Sequence, residues 1–341
     1  MPGIVSCGLY IPRLRIKREE YVKAWGYFSP RGIEEKAVAD FDEDPITMGV
    51  EAASNALKSA KLDASEIDAV YFASTSPPYV EKGSASTLAT ALACKNETFT
   101  VDVTSTVKAG ASALLACLDY VASRRGRTGL VIAADCPHGD PTSPLEHQFG
   151  AAATAMIVTC DSTGAVFEGS FSIMSESIGE RFRRNGQSSV TRVDVGPYHD
   201  TVADQVIMSC IKGMMSKLNR SPKDYDWLVL QGTDDAKALE LSKKLGFEDS
   251  KTEQGMISAK IGDTGAASSL LALSKVFVSA LPKQHVILCS YGPGSGADGA
   301  SFVIEGETKS AAGICYDDYL AKKEYIDYTT YLKLRRILGR S

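Results

Sequence analysis

The chain predicts an α/β fold in which one unit occurs twice, with two small-residue helices at its centre. Three observations carry this reading. Short Val/Ile-rich runs alternate with Leu/Ala-rich or amphipathic stretches, the pattern of strands and helices packed in layers. The stretch VKAGASALLACLDYV (107–121) lines up with GDTGAASSLLALSKVF (262–277), and each opens with Gly and other small residues. Each is followed by a strand-like run, TGLVIAAD (128–135) and KQHVILCS (283–290), and then by a last one, TAMIVT (154–159) and ASFVIE (300–305). A matching order of neighbours is what internal duplication leaves behind. The seam falls near Asp161–Gly164, so the halves are 1–163 and 164–341 of one pseudo-duplicated unit.

Strands are expected at Gly3–Leu9, Ala69–Ser74, Phe99–Val103, Gly129–Ala134, Ala153–Thr159, Ala165–Ser172, Trp227–Leu230, Gly255–Ala259, His285–Ser290 and Ala300–Glu305. Most are short, rich in Val and Ile, and bounded by Gly, Pro or Asp. Helices are expected between them at Ile46–Ala60, Gly83–Leu92, Val107–Ser123, Val202–Leu218, Asp235–Lys244 and Gly265–Ala280. Gly and Ala at the starts of the two echoing helices suit axes that approach closely. Three segments interrupt the repeat: 11–45, charged and aromatic; 136–150, rich in turn residues; and 177–200, polar and basic. Long insertions on such a scaffold line sites or interfaces.

The bulk numbers exclude several function classes. With 341 residues the chain has room for a sizeable core, and 44% apolar with 23% charged residues is soluble globular composition. A formal net charge of -5 argues against nucleic acid or an anionic membrane as the partner. The eight cysteines are scattered with no CxxC pair, which suits buried thiols in a reducing cytoplasm and no metal site. The start MPGIVSCGLYIPRLRIK lacks the pattern of a signal peptide, and no apolar run is long enough to span a bilayer.

The stretch DVTSTVKAGASALLACL (102–118) is where a nucleophile at a helix N-terminus would stand, since a helix dipole favours an anion there. The first helical position is Val107. Ser105 and Thr106 precede it, as substitute nucleophiles or, the favoured reading, as N-caps. Cys136 and His138 offer a Cys–His pair, although two residues apart on a Pro-containing loop they are expected to point apart. Arg181, Arg183, Arg184 and Lys237 form either a phosphate-binding set or a solvated basic face. In SYGPGSGADG (290–299), Gly292 and Gly294 belong to a loop that walls a pocket or makes a tight turn. The aromatic and basic tail EYIDYTTYLKLRR (324–336) and YVKAWGYF (21–28) suit a protein interface or docking on their own subunit equally well.

The duplicated unit resembles the thiolase superfamily, and in detail archaeal-type 3-hydroxy-3-methylglutaryl-CoA synthase. It is also similar to the synthase-like subunit of the phloroglucinol acetyltransferase complex. The likeness covers nearly the whole chain, through GIVSCGLYIPRLRIKREE (3–20), DEDPITMGVEAASNALKSA (42–60), KAGASALLAC (108–117), RFRRNGQ (181–187), GDTGAASSLLAL (262–273) and SYGPGSGADG (290–299). The resemblance implies five layers, α-β-α-β-α. It implies a catalytic cysteine where Val107 stands, a glutamate acid/base at Thr75, a histidine at Gln231 and an asparagine at Lys260. Asp234, Asp235 and Ala236 replace an Asn-Gly-Lys run of the family. The resemblance therefore implies a catalytically degenerate subunit that scaffolds an acyl-transferring complex. Its expected partners are a second copy, a thiolase-type catalytic subunit and an OB-fold, zinc-ribbon bridging protein. No tightly bound cofactor is expected beyond a coenzyme A thioester. The rivals are an active synthase or ketoacyl-synthase-III-like acyltransferase that uses unconventional residues, and a non-catalytic acyl-CoA binder.

Overall fold

The computed structural model describes all residues except 31, 176–180, 194–196, 232–233, 307, 311–314 and 338–341. Nine strands make the body of one large mixed sheet: β1 (Gly3–Tyr10), β2 (Ala69–Ser74), β3 (Phe99–Thr104), β4 (Thr128–Asp135), β5 (Ala152–Thr159), β6 (Ala165–Ile173), β7 (Trp227–Gln231), β8 (His285–Gly292) and β9 (Gly296–Ile304). Their order is β7-β8-β9-β6-β1-β5-β4-β2-β3, with the short strand Lys309–Ser310 paired to β1. One pattern occurs twice. β2 pairs β4 in parallel, then β4–β5 and β5–β1 are antiparallel; β7 pairs β8 in parallel, then β8–β9 and β9–β6 are antiparallel. The two sets meet where β1 touches β6 over Gly3 and Ile4.

Successive side chains of a strand point to opposite faces, and here both faces are covered. Val70, Phe72, Leu130, Ile132, Ala153 and Ala155 point to the helices Pro45–Ala60 and Ser84–Ala91. Their neighbours Tyr71, Ala73, Val131, Ala133 and Met156 enter a central core shared with Val229, Val286 and Leu288 of the other half. Leu228, Ile287, Cys289 and Tyr291 face a third core under the helices Pro197–Lys217 and Asp235–Leu245. Helix, sheet, helix pair, sheet and helix therefore succeed one another. This is why the strands read as continuous apolar runs rather than alternating ones.

The helix pair at the centre is Ala109–Ala122 and Ser268–Ser279, the latter entered through a 3-10 turn at Gly265–Ala267. The closeness expected from Gly and Ala is real. A Cβ on Gly110 would lie 2.3 Å from the Ala266 carbonyl oxygen. Asp44 caps the helix Pro45–Ala60 through the amides of Ile46 and Thr47, with Pro45 at its first position.

Two sequence expectations fail here. Gly255–Ala259 is not a strand. Its backbone closes on itself, with Gly255 N–H donating to Thr252 and Gly262 N–H to Ser258, and residues Ser258–Ile261 form a helical turn. Ser105 and Thr106 do not cap the central helix with their side chains. Lys108 is the cap residue, without a side-chain bond, and the Thr106 carbonyl accepts from Ala109 N–H. Ser105 takes a left-handed φ of 74°, which turns its hydroxyl away from the helix to Thr104.

The insertion and the tail dock on their own subunit. Leu14–Lys17, Glu35–Val38 and Glu324–Tyr325 form a small sheet. The helix Tyr328–Leu334 buries Tyr328 and Tyr331 against Tyr21. Tyr328 donates to Glu146, and the buried Lys36 ammonium donates to the Tyr331 hydroxyl at 3.1 Å. Among the described residues no helix is long and apolar enough to cross a membrane. None of the eight cysteines is in a disulfide.

Candidate functional site

Val107 is buried at the waist between two spaces. Behind it lies a cavity of about 350 Å³ reaching Gln231, Asp204, Asp235, Lys237 and Tyr291. In front lies a wider groove of about 980 Å³ bounded by Thr75, Tyr79, Ser105, Thr106 and the segment from Arg181 to Ser188. Arg181 and Pro293 line both spaces. Pro293 tips the hairpin between β8 and β9, where Gly292 pairs with Gly296 and Ser295 N–H donates to the Gly292 carbonyl. The glycine-rich loop is thus both a tight turn and a wall. Gly294 takes a φ of 69°, and a Cβ on Gly292 would collide with the Thr106 hydroxyl.

The four positions where the resemblance places catalytic groups separate in space. Val107 and Gln231, at the end of β7, line the inner cavity. Thr75 lines the groove, but its hydroxyl and amide both donate to the Asp135 carboxylate at 2.8 Å. Lys260 lines neither space. The helical turn at Ser258–Ile261 sends its ammonium outward to Glu34.

Asp135 is the residue that sequence reading missed. It ends β4, is fully buried, and has no cation beside it among the described residues. Six donors satisfy it instead: the hydroxyls of Ser74, Thr75 and Ser76, and the amides of Thr75, Ser76 and Ala266. A buried carboxylate persists only when hydrogen-bonded this fully. It ties the loop after β2 to the start of the second central helix, across the seam between the halves. The only signal in the sequence is an aspartate ending an apolar strand.

The basic residues also resolve. Arg181 pairs with Asp263 at 2.9 Å and lies over the Phe149 ring at 4.4 Å. Lys237 pairs with Asp204 at 2.8 Å. Both pairs are largely shielded from solvent, so neither cation belongs to a solvated basic face. Arg183 donates to the Thr75 carbonyl, and Arg184 lies over the Phe182 ring; these two line the open groove.

Cys136 and His138 sit elsewhere, in a third cavity of about 290 Å³ with Asp44, Tyr331 and Arg335. Burial pushes the Cys136 thiol up to about 12. Burial, followed by the charges of Arg335 and Lys36, pushes His138 down to about 3. A reactive pair needs thiolate and imidazolium, and both forms are disfavoured here. Neither residue lines the spaces around Val107. Among the described residues bounding the inner cavity and the groove there is no Cys, His or Glu. Among the described residues no cluster suited to a metal ion is found.

Comparison with known proteins fits this architecture. Hydroxymethylglutaryl-CoA synthase of Pyrococcus horikoshii is 33% identical over 344 residues, covering 98% of this chain and 96% of that protein. The chain belongs to the hydroxymethylglutaryl-CoA synthase family. The synthase of Thermococcus sibiricus is 35% identical, with 98% and 95% covered. No protein-family model matches the chain. Among solved structures, MvaS in complex with 3-hydroxy-3-methylglutaryl coenzyme A superposes with a TM-score of 0.86 at 19% identity, over 98% of this chain and 91% of that one. 3-Oxoacyl-acyl-carrier-protein synthase III from Aquifex aeolicus gives 0.79 at 19% identity, over 89% and 100%. These likenesses establish the thiolase-like fold.

Proposed function

We propose that this chain is a member of the synthase family that no longer condenses acyl groups and instead serves as the scaffold subunit of an acyl-transferring complex. One observation carries the reading: no Cys, His or Glu lines either space around Val107 among the described residues. Thioester cleavage needs a nucleophile, an acid/base and a stabilised oxyanion acting together. Arg183 and Arg184 line the groove, which supports a site there for the phosphates of a coenzyme A thioester. The resemblance adds the partners: a second copy of this chain, a thiolase-type catalytic subunit and an OB-fold, zinc-ribbon protein between them. The half-buried edge strand β3 supports pairing with a second copy. A cytoplasmic setting accords with eight unpaired thiols.

A second reading has its own support. Full-length relatives at 33% and 35% identity bear the name hydroxymethylglutaryl-CoA synthase. On that reading the chain is an active acyltransferase using Ser105 or Thr106, the hydroxyls nearest Val107 in the groove. A plain acyl-CoA binder would hold thioester without turnover and without a partner.

Intact-protein mass spectrometry after incubation with acetyl-CoA and acetoacetyl-CoA separates these readings. The scaffold reading expects an unchanged mass and co-purification with a catalytic partner. A stable acyl adduct mapped to Ser105 or Thr106 would sink it in favour of the active enzyme. Thioester binding by a chain that recruits no partner would leave the binder.

A further inference from the structure

The first insertion, the segment after β4 and the tail form a small unit of their own. Leu14, Ile16, Tyr21, Val38, Tyr328 and Tyr331 make a fourth apolar core, separate from the three that join the layers. Two pieces of this unit line the inner cavity: Ser29, Pro30 and Ile33 of the insertion, and Pro144, Leu145 and Gln148 of the segment after β4. The helix Tyr328–Leu334 ties these pieces together. The Tyr328 ring packs on Tyr21 and Trp25 of the insertion, with centroids 5.3 and 5.7 Å away, while its hydroxyl donates to Glu146 of the other piece at 3.0 Å. Behind the helix, Arg335 donates to the Gly139 carbonyl at 3.4 Å. Where the two pieces meet directly, Ser29 N–H donates to His147 Nδ1 at 3.4 Å and the Tyr27 hydroxyl donates to the Thr142 carbonyl.

Much of what the unit encloses is polar. Lys36 and Glu146 are buried in it, and Arg15 Nε and Nη2, His147 Nε2 and Arg335 Nε are buried without a hydrogen-bond partner. Water would satisfy these four atoms on opening, so the closed form is less favoured than its apolar contacts alone would make it. A unit with its own small core and such a balance opens locally before the whole chain unfolds. We infer that the helix Tyr328–Leu334 is a latch: docked, it holds the two pieces together and narrows the way into the inner cavity, and undocked, it lets them part. A molecule that displaces the tail would thereby admit a larger one to the cavity behind Val107. The inference goes beyond the scaffold reading and requires no thioester to bind.

Thiol labelling of the full chain, mapped by peptide mass spectrometry, tests it. Gln231→Cys places a thiol in the inner cavity at the end of β7. With the tail docked, iodoacetamide is expected to label that thiol readily and the bulky reagent fluorescein maleimide slowly. Adding Tyr328→Ala, which removes both the ring packing and the bond to Glu146, should speed the maleimide reaction at least about tenfold. The native Cys117, fully buried in the central helix, should stay unlabelled throughout. Tyr328→Phe keeps the ring and loses only the bond to Glu146, so it should shift the rate in the same direction by less; this keeps the test decisive if the alanine variant fails to fold. A maleimide rate that neither tail variant changes would overturn the latch. So would a rate already equal to that of iodoacetamide with the tail intact, or labelling of Cys117 in step with the cavity thiol, which would mean that the whole chain had loosened. Because no coenzyme A compound is used, these outcomes are independent of the mass-spectrometric test of the scaffold reading.

Discussion

Replacing Asp135 isolates what a single buried carboxylate contributes. Its Oδ1 accepts from Ser74, Ser76 and the amides of Thr75 and Ser76; its Oδ2 accepts from the Thr75 hydroxyl and the Ala266 amide. In Asp135→Ala the three hydroxyls can rotate to other acceptors and the Ser76 amide keeps the Ser74 hydroxyl at 3.1 Å, but the amides of Thr75 and Ala266 lose their acceptor. An unsatisfied buried N–H costs about 1–3 kcal/mol, so the loss should be about 2–6 kcal/mol. Asp135→Asn keeps the shape and one acceptor oxygen. With that oxygen at the Oδ1 position, its NH2 group faces the Ala266 amide donor to donor. One amide is then orphaned, and the expected loss is about 1–3 kcal/mol. Urea titrations followed by circular dichroism read both values from the midpoint at constant slope. Hydrogen exchange should locate the effect at the amides of Thr75, Ser76 and Ala266. If both variants lie within about 0.5 kcal/mol of the parent, the ordinary range for an inconsequential surface change, the hub assignment is wrong.

Other outcomes follow from the same structure. Val107→Cys alone should gain an adduct with acetyl-CoA or iodoacetamide, seen by mass spectrometry, because the groove reaches that side chain. Adding Thr75→Glu should not help, since the Thr75 side chain points at the Asp135 carboxylate and a second carboxylate would be repelled. Gly110→Ala forces the central helices apart against the Ala266 carbonyl and should cost about 1–3 kcal/mol or more in denaturation experiments. His147 stacks on Phe28, and burial together with the charge of Lys36 pushes it down from 6.5 to about 4. The unfolded chain therefore binds a proton that the folded one refuses. Its contribution is intact above pH 6.5 and is lost as pH falls toward 4, so His147→Phe should flatten the stability profile over that window.

Much of the fold was legible because it rests on local regularities. Runs such as AVYFAS and TGLVIAAD are short, apolar and bounded by turn residues, and they are β2 and the body of β4. The paired Gly–Ala helix starts announced a close approach that Gly110 and Ala266 make. β9 was placed too late because Gly296–Gly299 reads as turn, while pairing with β8 holds it extended. Gly255–Ala259 has strand composition, but Ser258 and Ala259 belong to a turn whose Ala259 amide donates to Asp235. At the site, the position of Val107 was readable from the strand–turn–helix pattern. The destinations of the long polar side chains were not. Lys260 meets Glu34, and Arg181 meets Asp263, through contacts between residues far apart in the chain. No periodicity encodes such partners; they depend on which faces the finished layers turn toward each other.

The place of β1 in the sheet bears on how the chain is made. It leaves the ribosome well before either strand it pairs with, since it lies between β5 and β6. Residues 152–173 must therefore emerge before β1 has either neighbour, and the pairing of β9 with β6 waits until residues 296–304 have followed. Such long-range pairing is slow to form and leaves apolar strands uncovered meanwhile. The nascent N-terminal half, with its central helix still waiting for Ala266, is thus the stage at which a chaperone has most to do.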